Sequence, residues 1–216
     1  MHTSFVPRPP RLALLSGLAL ALCVTGCTSL FKAKPDLTRF YLLSAPAAAA
    51  AHEPGPEVRR AASIGIRRIE LPAYLRTPAV ILRPGGTEMR AAADARWGEP
   101  LDLGIARVLR ETLQAQPGVR SVIVYPAPQM PLPAYELAVH VLACEGVTEG
   151  AGGQARFTAA WELRSTSAAA DAAVLASGVF AGPAGTWDSG DYGALTSRLG
   201  EAVAALGREV AAALPE

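Results

Sequence analysis

The chain has 216 residues, with 20 lysines and arginines against 19 acids and a net charge of +1. That balance argues against nucleic acid as a partner, which demands clustered positive charge, while the length suits one domain with a sizeable core. Three cysteines and three histidines leave little material for a metal centre.

Residues 1–11 hold Arg8 and Arg11 and no acid, and residues 12–24 are almost wholly apolar. A basic start and a short apolar run are the layout of a secretory signal peptide. The run is too short for a bilayer span, which takes roughly 20 residues. "VTGC" (Val24–Cys27) then resembles a bacterial lipobox. The small Thr25 and Gly26 let the backbone enter a peptidase, and the Cys27 thiol can carry a diacylglycerol. Cys23 follows the bulky Leu22 and does not fit. The expected division is a signal peptide over 1–26, a tether over 27–36 and one domain over 37–216. Thr28, rather than aspartate, follows Cys27, which points to sorting to the outer membrane in Gram-negative bacteria. Lys32 and Lys34 are the only lysines, placed to touch anionic headgroups or simply to be solvated.

"RFYLLS" (Arg39–Ser44) has a strand's composition, and the Ala/Pro/Gly segment Ala45–Val58 reads as a surface loop. "ASIGIRRIELP" reads as a strand whose phase changes, since Ile64 and Ile66 share one face and Ile69 and Leu71 the other. A bulge near Arg67–Arg68 would account for that. "AVILRPGG" is a further short strand. "WGEPLDLGIARVLRETLQAQPG" is a helix with Pro100 at its first position. Its apolar stripe is Leu101, Ile105, Val108, Leu109 and Thr112, and Pro117-Gly118 stops it.

"VRSVIVYP" and "PAYELAVHVLACEG" are the next strands. "QARFTAAWELRS" alternates cleanly, with Phe157, Ala159, Trp161 and Leu163 inward and Arg156, Thr158, Glu162 and Arg164 outward. "AAVLASGVFAG" is the last strand expected. A helix from about Ser189 to Leu214 places Tyr192, Leu195, Leu199, Val203, Leu206 and Val210 on one face. These elements predict an α+β fold, a mixed and largely antiparallel sheet packed against two amphipathic helices in a single domain.

No catalytic constellation, cofactor cradle or metal site is expected. His140 is a half-exposed strand residue, His52 lies in the Ala/Pro loop, and neither has a ligand partner at familiar spacing. Asp188 and Asp191 suit capping of the last helix. Cys144 reads as an inert buried thiol, with an intermolecular disulfide as the alternative. Trp97 and Trp161 read as core. Trp187, in "GPAGTWDSGD", is the tryptophan expected at the surface, where an aromatic anchor suits a partner. Pro72 and Pro78 keep Ala73–Thr77 out of a sheet. Tyr74 and Leu75, beside Arg76, either protrude as a docking element or fold back to cap the core.

Four stretches resemble the ABC-type transport auxiliary lipoproteins: "RFYLL", "ELPAYLRTPAVILR", "RWGEPLDLGIARVLRETL", and the strand around "AAWEL" with the C-terminal helix. Pro72, Tyr74, Leu75, Arg76 and Arg83 match a P-x-Y-L-x-R…I-V-x-R segment, and Trp97, Glu99, Pro100 and Leu101 a W-x-E-P-L helix start. Val80-Ile81 replaces the commoner isoleucine-valine, and the Ala45–Val58 loop is long. The resemblance implies an outer-membrane lipoprotein facing the periplasm, without cofactor or catalysis. It would serve an ABC lipid transport system by docking a periplasmic MCE-domain protein, with a homo-oligomer left open. The alternatives are an activator or assembly chaperone of another envelope machine, or a lipid-binding carrier.

Overall fold

The computed structural model describes residues 35–44, 62–127, 132–149, 152–166 and 173–215. Thr38–Glu216 forms one unit, and Cys27 and the Ala45–Val58 loop lie outside the described residues. The strands are β1 Arg39–Tyr41, β2 Ala62–Ile66, β3 Ala79–Gly85, β4 Glu88–Trp97, β5 Val119–Val124, β6 Tyr135–Glu149, β7 Gly152–Ser165, β8 Val174–Ala181 and β9 Gly185–Asp188. The helices are α1 Leu101–Gln114 and α2 Tyr192–Ala212.

The cleanest sequence alternation builds the longest ladder. β7 runs antiparallel to β6 from Tyr135 opposite Ser165 to Glu149 opposite Gly152. The expected inward residues Phe157, Ala159, Trp161 and Leu163 are all buried. Beyond β7 lie β8 and β9, and the other edge of β6 leads through β3 and β4 to β1, and through β2 to β5. The result is a mixed, largely antiparallel open sheet of nine strands among the described residues, with both helices packed against it.

Leu195, Leu199, Val203, Leu206 and Val210 are all buried along one stripe of α2, each worth about 1.5–3 kcal/mol of transfer free energy. The Asp191 carboxylate accepts from the Ala194 N–H and caps the helix. The α1 stripe is buried throughout, and Pro100 sits one residue earlier than expected, at the N-cap. Gly118, at φ +87°, turns the chain from α1 into β5, a conformation glycine adopts without steric cost. β4 and β9 are additions to the sequence reading. The alanines of "EMRAAADARW" give almost no apolar–polar contrast, and β9 is four residues long.

One edge of β6 is lined in succession by β2, by Glu70 and by β3. Ile66 lies opposite Leu137, Glu70 opposite His140, and Leu82 opposite Gly146. Residues 67–69 thus face only 138–139, which is the bulge the phase change called for. It lets Ile64, Ile66, Ile69 and Leu71 all be buried. From Glu70 to Leu82 the mismatch is larger, and the chain loops out around a 3₁₀ turn, Ala73–Leu75.

A cleft between the Pro72–Pro78 loop and the start of α1

The looped-out segment is half core and half surface. Leu75 is 2% exposed and belongs to the core, whereas Arg76 is exposed and its Nε donates to the Leu71 carbonyl at 3.0 Å. Tyr74 lies between these extremes, half-buried, its hydroxyl donating to the Leu142 carbonyl at 3.2 Å. That carbonyl is presented by a second bulge. Val141 pairs with Ala159 and Ala143 with Thr158, so Leu142 is the extra residue of β6.

The same bulge buries an acid. Glu145 is 0% exposed, bound by Arg83 through Nε at 2.7 Å and Nη2 at 3.3 Å, with Arg156 Nη2 at 3.3 Å. The two-pronged Arg83 contact suits a desolvated carboxylate, and the bond raises the Arg83 pKa. Burial, then the Glu145 charge, hold the Tyr74 hydroxyl above its ordinary pKa. Burial with the same charge pushes the Cys144 thiol up to about 12, so it stays protonated at neutral pH. The sequence reading missed Glu145. Its signal was a strand acid whose arginine partners lie on the two strands that flank β6, Arg83 on β3 and Arg156 directly opposite it on β7, in a register set by the β6 bulge.

The opposite wall is the turn into α1. Trp97 is buried, and Gly98 N–H donates to the Tyr41 carbonyl at 2.8 Å. Glu99 accepts from Arg107 Nη2 at 2.7 Å, and the same nitrogen donates to the Leu43 carbonyl at 2.7 Å. The Glu99 bond raises the Arg107 pKa. One arginine therefore ties the helix start to the end of β1.

Between the walls lies a cleft of about 630 Å³, floored by Leu71, Leu75, Trp97 and Leu101 and rimmed by Arg68, Arg76, Glu99 and Asp102. The volume falls within the range of small-molecule pockets, roughly 300–1,000 Å³. Asp102 lies 3.8 Å from Arg68, and Glu70 3.0 Å from His140. Among the described residues Arg76 makes no ion pair, which leaves its charge open to a ligand. No group of three or more His, Cys, Asp or Glu side chains gathers there or elsewhere among the described residues.

Trp187 corrects the expectation of a surface anchor. It is 4% exposed, on β9, packed where side chains at Gly146 and Gly153 would collide with it, and tilted against Tyr192 at 6.1 Å. Its Nε1 is buried without a partner among the described residues. The structure thus brings Tyr74, Leu75 and Arg76 together and leaves Trp187 in the core. No described helix is long and apolar enough to cross a membrane.

A nine-stranded mixed sheet, two packed helices and a cleft beside a looped-out segment place the chain among α+β domains that present a groove. The chain belongs to the ABC-type transport auxiliary lipoprotein component family, whose profile matches residues 41–211. The two longest stretches of the resemblance, around Glu70–Arg83 and Trp97–Leu101, are the two walls of the cleft. Two solved structures share the fold. One is protein XCC0632 from Xanthomonas campestris, of family DUF330, at 18% identity and TM-score 0.59, covering 69% of this chain and 81% of that one. The other is an uncharacterized protein at 17% identity and TM-score 0.58, covering 81% and 97%. No curated protein matches the chain.

Proposed function

We propose that the protein is a lipid-anchored docking component of an ABC-type intermembrane lipid transport system. Acylated Cys27 holds it at the periplasmic face of the outer membrane, and the cleft wall Tyr74–Arg76 receives a periplasmic MCE-domain protein. It acts by binding rather than by chemistry. The observation that carries this reading is the convergence of the two family-like stretches on one cleft whose Arg76 has no ion-pair partner among the described residues. An exposed arginine beside a half-buried tyrosine is a sound recognition pair.

Co-purification with a co-expressed MCE-domain protein tests it. Arg76→Glu should keep the melting temperature and lose the partner. Leu75→Ala should cost about 2–5 kcal/mol of stability instead, because Leu75 is core. An Arg76→Glu variant that retains full partner binding would place docking elsewhere. Intact mass of the membrane-extracted chain should show residues 1–26 absent and acyl chains on Cys27, and fractionation should place it in the outer membrane.

A further inference from the structure

Phe40 of β1 and Leu42, one residue past the end of that strand, are large apolar side chains left mostly in the open, although one methyl of Leu42 packs over Gly98. Phe40 is 70% exposed and Leu42 53% exposed, while Tyr41 turns inward against Tyr192 and Leu43 enters the core. Among the described residues β1 is a three-residue edge strand paired only with β4. Phe40 lies opposite Arg96, whose guanidinium is already committed to the carbonyls of Ala92, Ala93 and Ala95. Nothing among the described residues covers the pair.

Their place in the chain says what can. β1 opens the folded unit, and Cys27 precedes Thr38 by eleven residues. A chain of that length cannot exceed about 40 Å even when fully extended. An anchored Cys27 therefore keeps β1 within about 40 Å of the headgroup layer. Lys32, Lys34 and Arg39 against Asp36 give this stretch a net charge of +2, which suits anionic headgroups.

We propose that Phe40 and Leu42 enter the interface of an anionic bilayer, so that the edge of β1 and the acyl anchor attach the domain at two points. The inference rests on acylation of Cys27 as proposed above. An aromatic and a leucine beside basic residues are the composition of an interfacial contact, and stable anchoring ordinarily takes more than one signal. Attachment at β1 fixes which side of the domain faces the periplasm.

The test uses the full lipoprotein reconstituted into phosphatidylethanolamine/phosphatidylglycerol vesicles containing lipids brominated near the headgroup. Trp97, Trp161 and Trp187 are all buried and supply a constant background. Phe40→Trp should add emission that is blue-shifted and quenched at least twofold more than that of Val179→Trp. Val179 is 69% exposed on β8, at the other edge of the sheet. Equal quenching of the two would overturn the proposal. So would an indole introduced in place of Phe40 that is unquenched by lipid yet shielded from aqueous iodide, which would mark a second copy or a protein partner on this strand. Intact mass of the same sample separates the premises. An unacylated Cys27 removes the tether and sinks the anchor reading and this one together, whereas an acylated Phe40→Trp chain whose added emission is unquenched sinks this one alone.

Discussion

The two faces of the β6–β7 ladder are built on different principles. On the α2 side, Val139, Val141, Phe157, Ala159 and Leu163 meet Leu195, Leu199, Val203 and Leu206 in a buried apolar layer. The exception sits at its margin, where Trp161 Nε1 donates to Glu209 of α2 at 3.1 Å. On the outer side the buried group is a carboxylate, Glu145, closed over by Arg83 and Arg156. Away from that pair the outer face is an open groove of about 610 Å³ lined by Ala138, His140, Ala160 and Val179. The first face holds the domain together. The second positions a loop, because the β6 bulge that buries Glu145 also offers the Leu142 carbonyl to Tyr74.

The largest effect should come from breaking the apolar face. Leu199→Asp places an unpaired charge in the centre of the α2 stripe, where Leu199 is fully buried. That costs several kcal/mol, comparable to the whole stability of a domain. Circular dichroism should show no cooperative melting transition.

Next comes the buried acid. Glu145→Ala strands Arg83, whose side chain is largely buried, while the half-exposed Arg156 can turn to water. Loss of one partner from a fully buried pair costs about 3–5 kcal/mol, so this partly relieved case should cost about 2–3 kcal/mol in denaturant unfolding. The Tyr74 pKa should fall back toward its ordinary value in the same variant, since the acid is part of what raises it.

The contrast between the faces also explains what the sequence revealed. Period-two alternation over "QARFTAAWELRS" and the three- to four-residue recurrence along α2 made the apolar face legible, because β7 and the helix each keep one phase across it. The bulge at Arg67–Ile69 was legible too, since its apolar residues visibly switch faces. The one at Leu142 was not. Cys144 and Gly146 continue the buried side with side chains too small to mark a phase, and Glu145 is buried on the opposite side. Trp187 misled for a related reason. Glycine and proline around it resemble a loop, yet Gly146 and Gly153 are the space the indole fills. The walls of the cleft were each visible as motifs, but their meeting depends on the chain looping out by six residues between Glu70 and Leu82, relative to β6.

A smaller effect should follow removal of the loop's tether. Tyr74→Phe deletes one neutral hydrogen bond and should cost about 1 kcal/mol. It should also alter the alkaline limb of stability. The folded Tyr74 pKa is raised, so its contribution is complete below the ordinary tyrosine value near 10 and is lost as pH rises through the folded value. Phenylalanine removes that loss, leaving the similarly raised Tyr192 to act. Urea melts at neutral and alkaline pH should therefore converge more in the variant than in the parent.

The smallest effect belongs to an exposed polar pair of the outer face. His140 and Glu70 meet at 3.0 Å, but both side chains are more than half exposed. Water screens such a pair, and holding two mobile side chains together costs entropy, so exposed pairs contribute about 0.2–1 kcal/mol. The parallel bridge between the same two residues does not depend on the side-chain contact. Its backbone bonds, Glu70 N–H to the Val139 carbonyl and Val141 N–H to the Glu70 carbonyl, persist whatever the side chains are. His140→Gln should therefore change unfolding free energy by less than about 0.5 kcal/mol. A loss as large as that of Glu145→Ala would mean that the outer face is held by its rim as well as by its buried acid, and the two faces would then differ less than their burial implies.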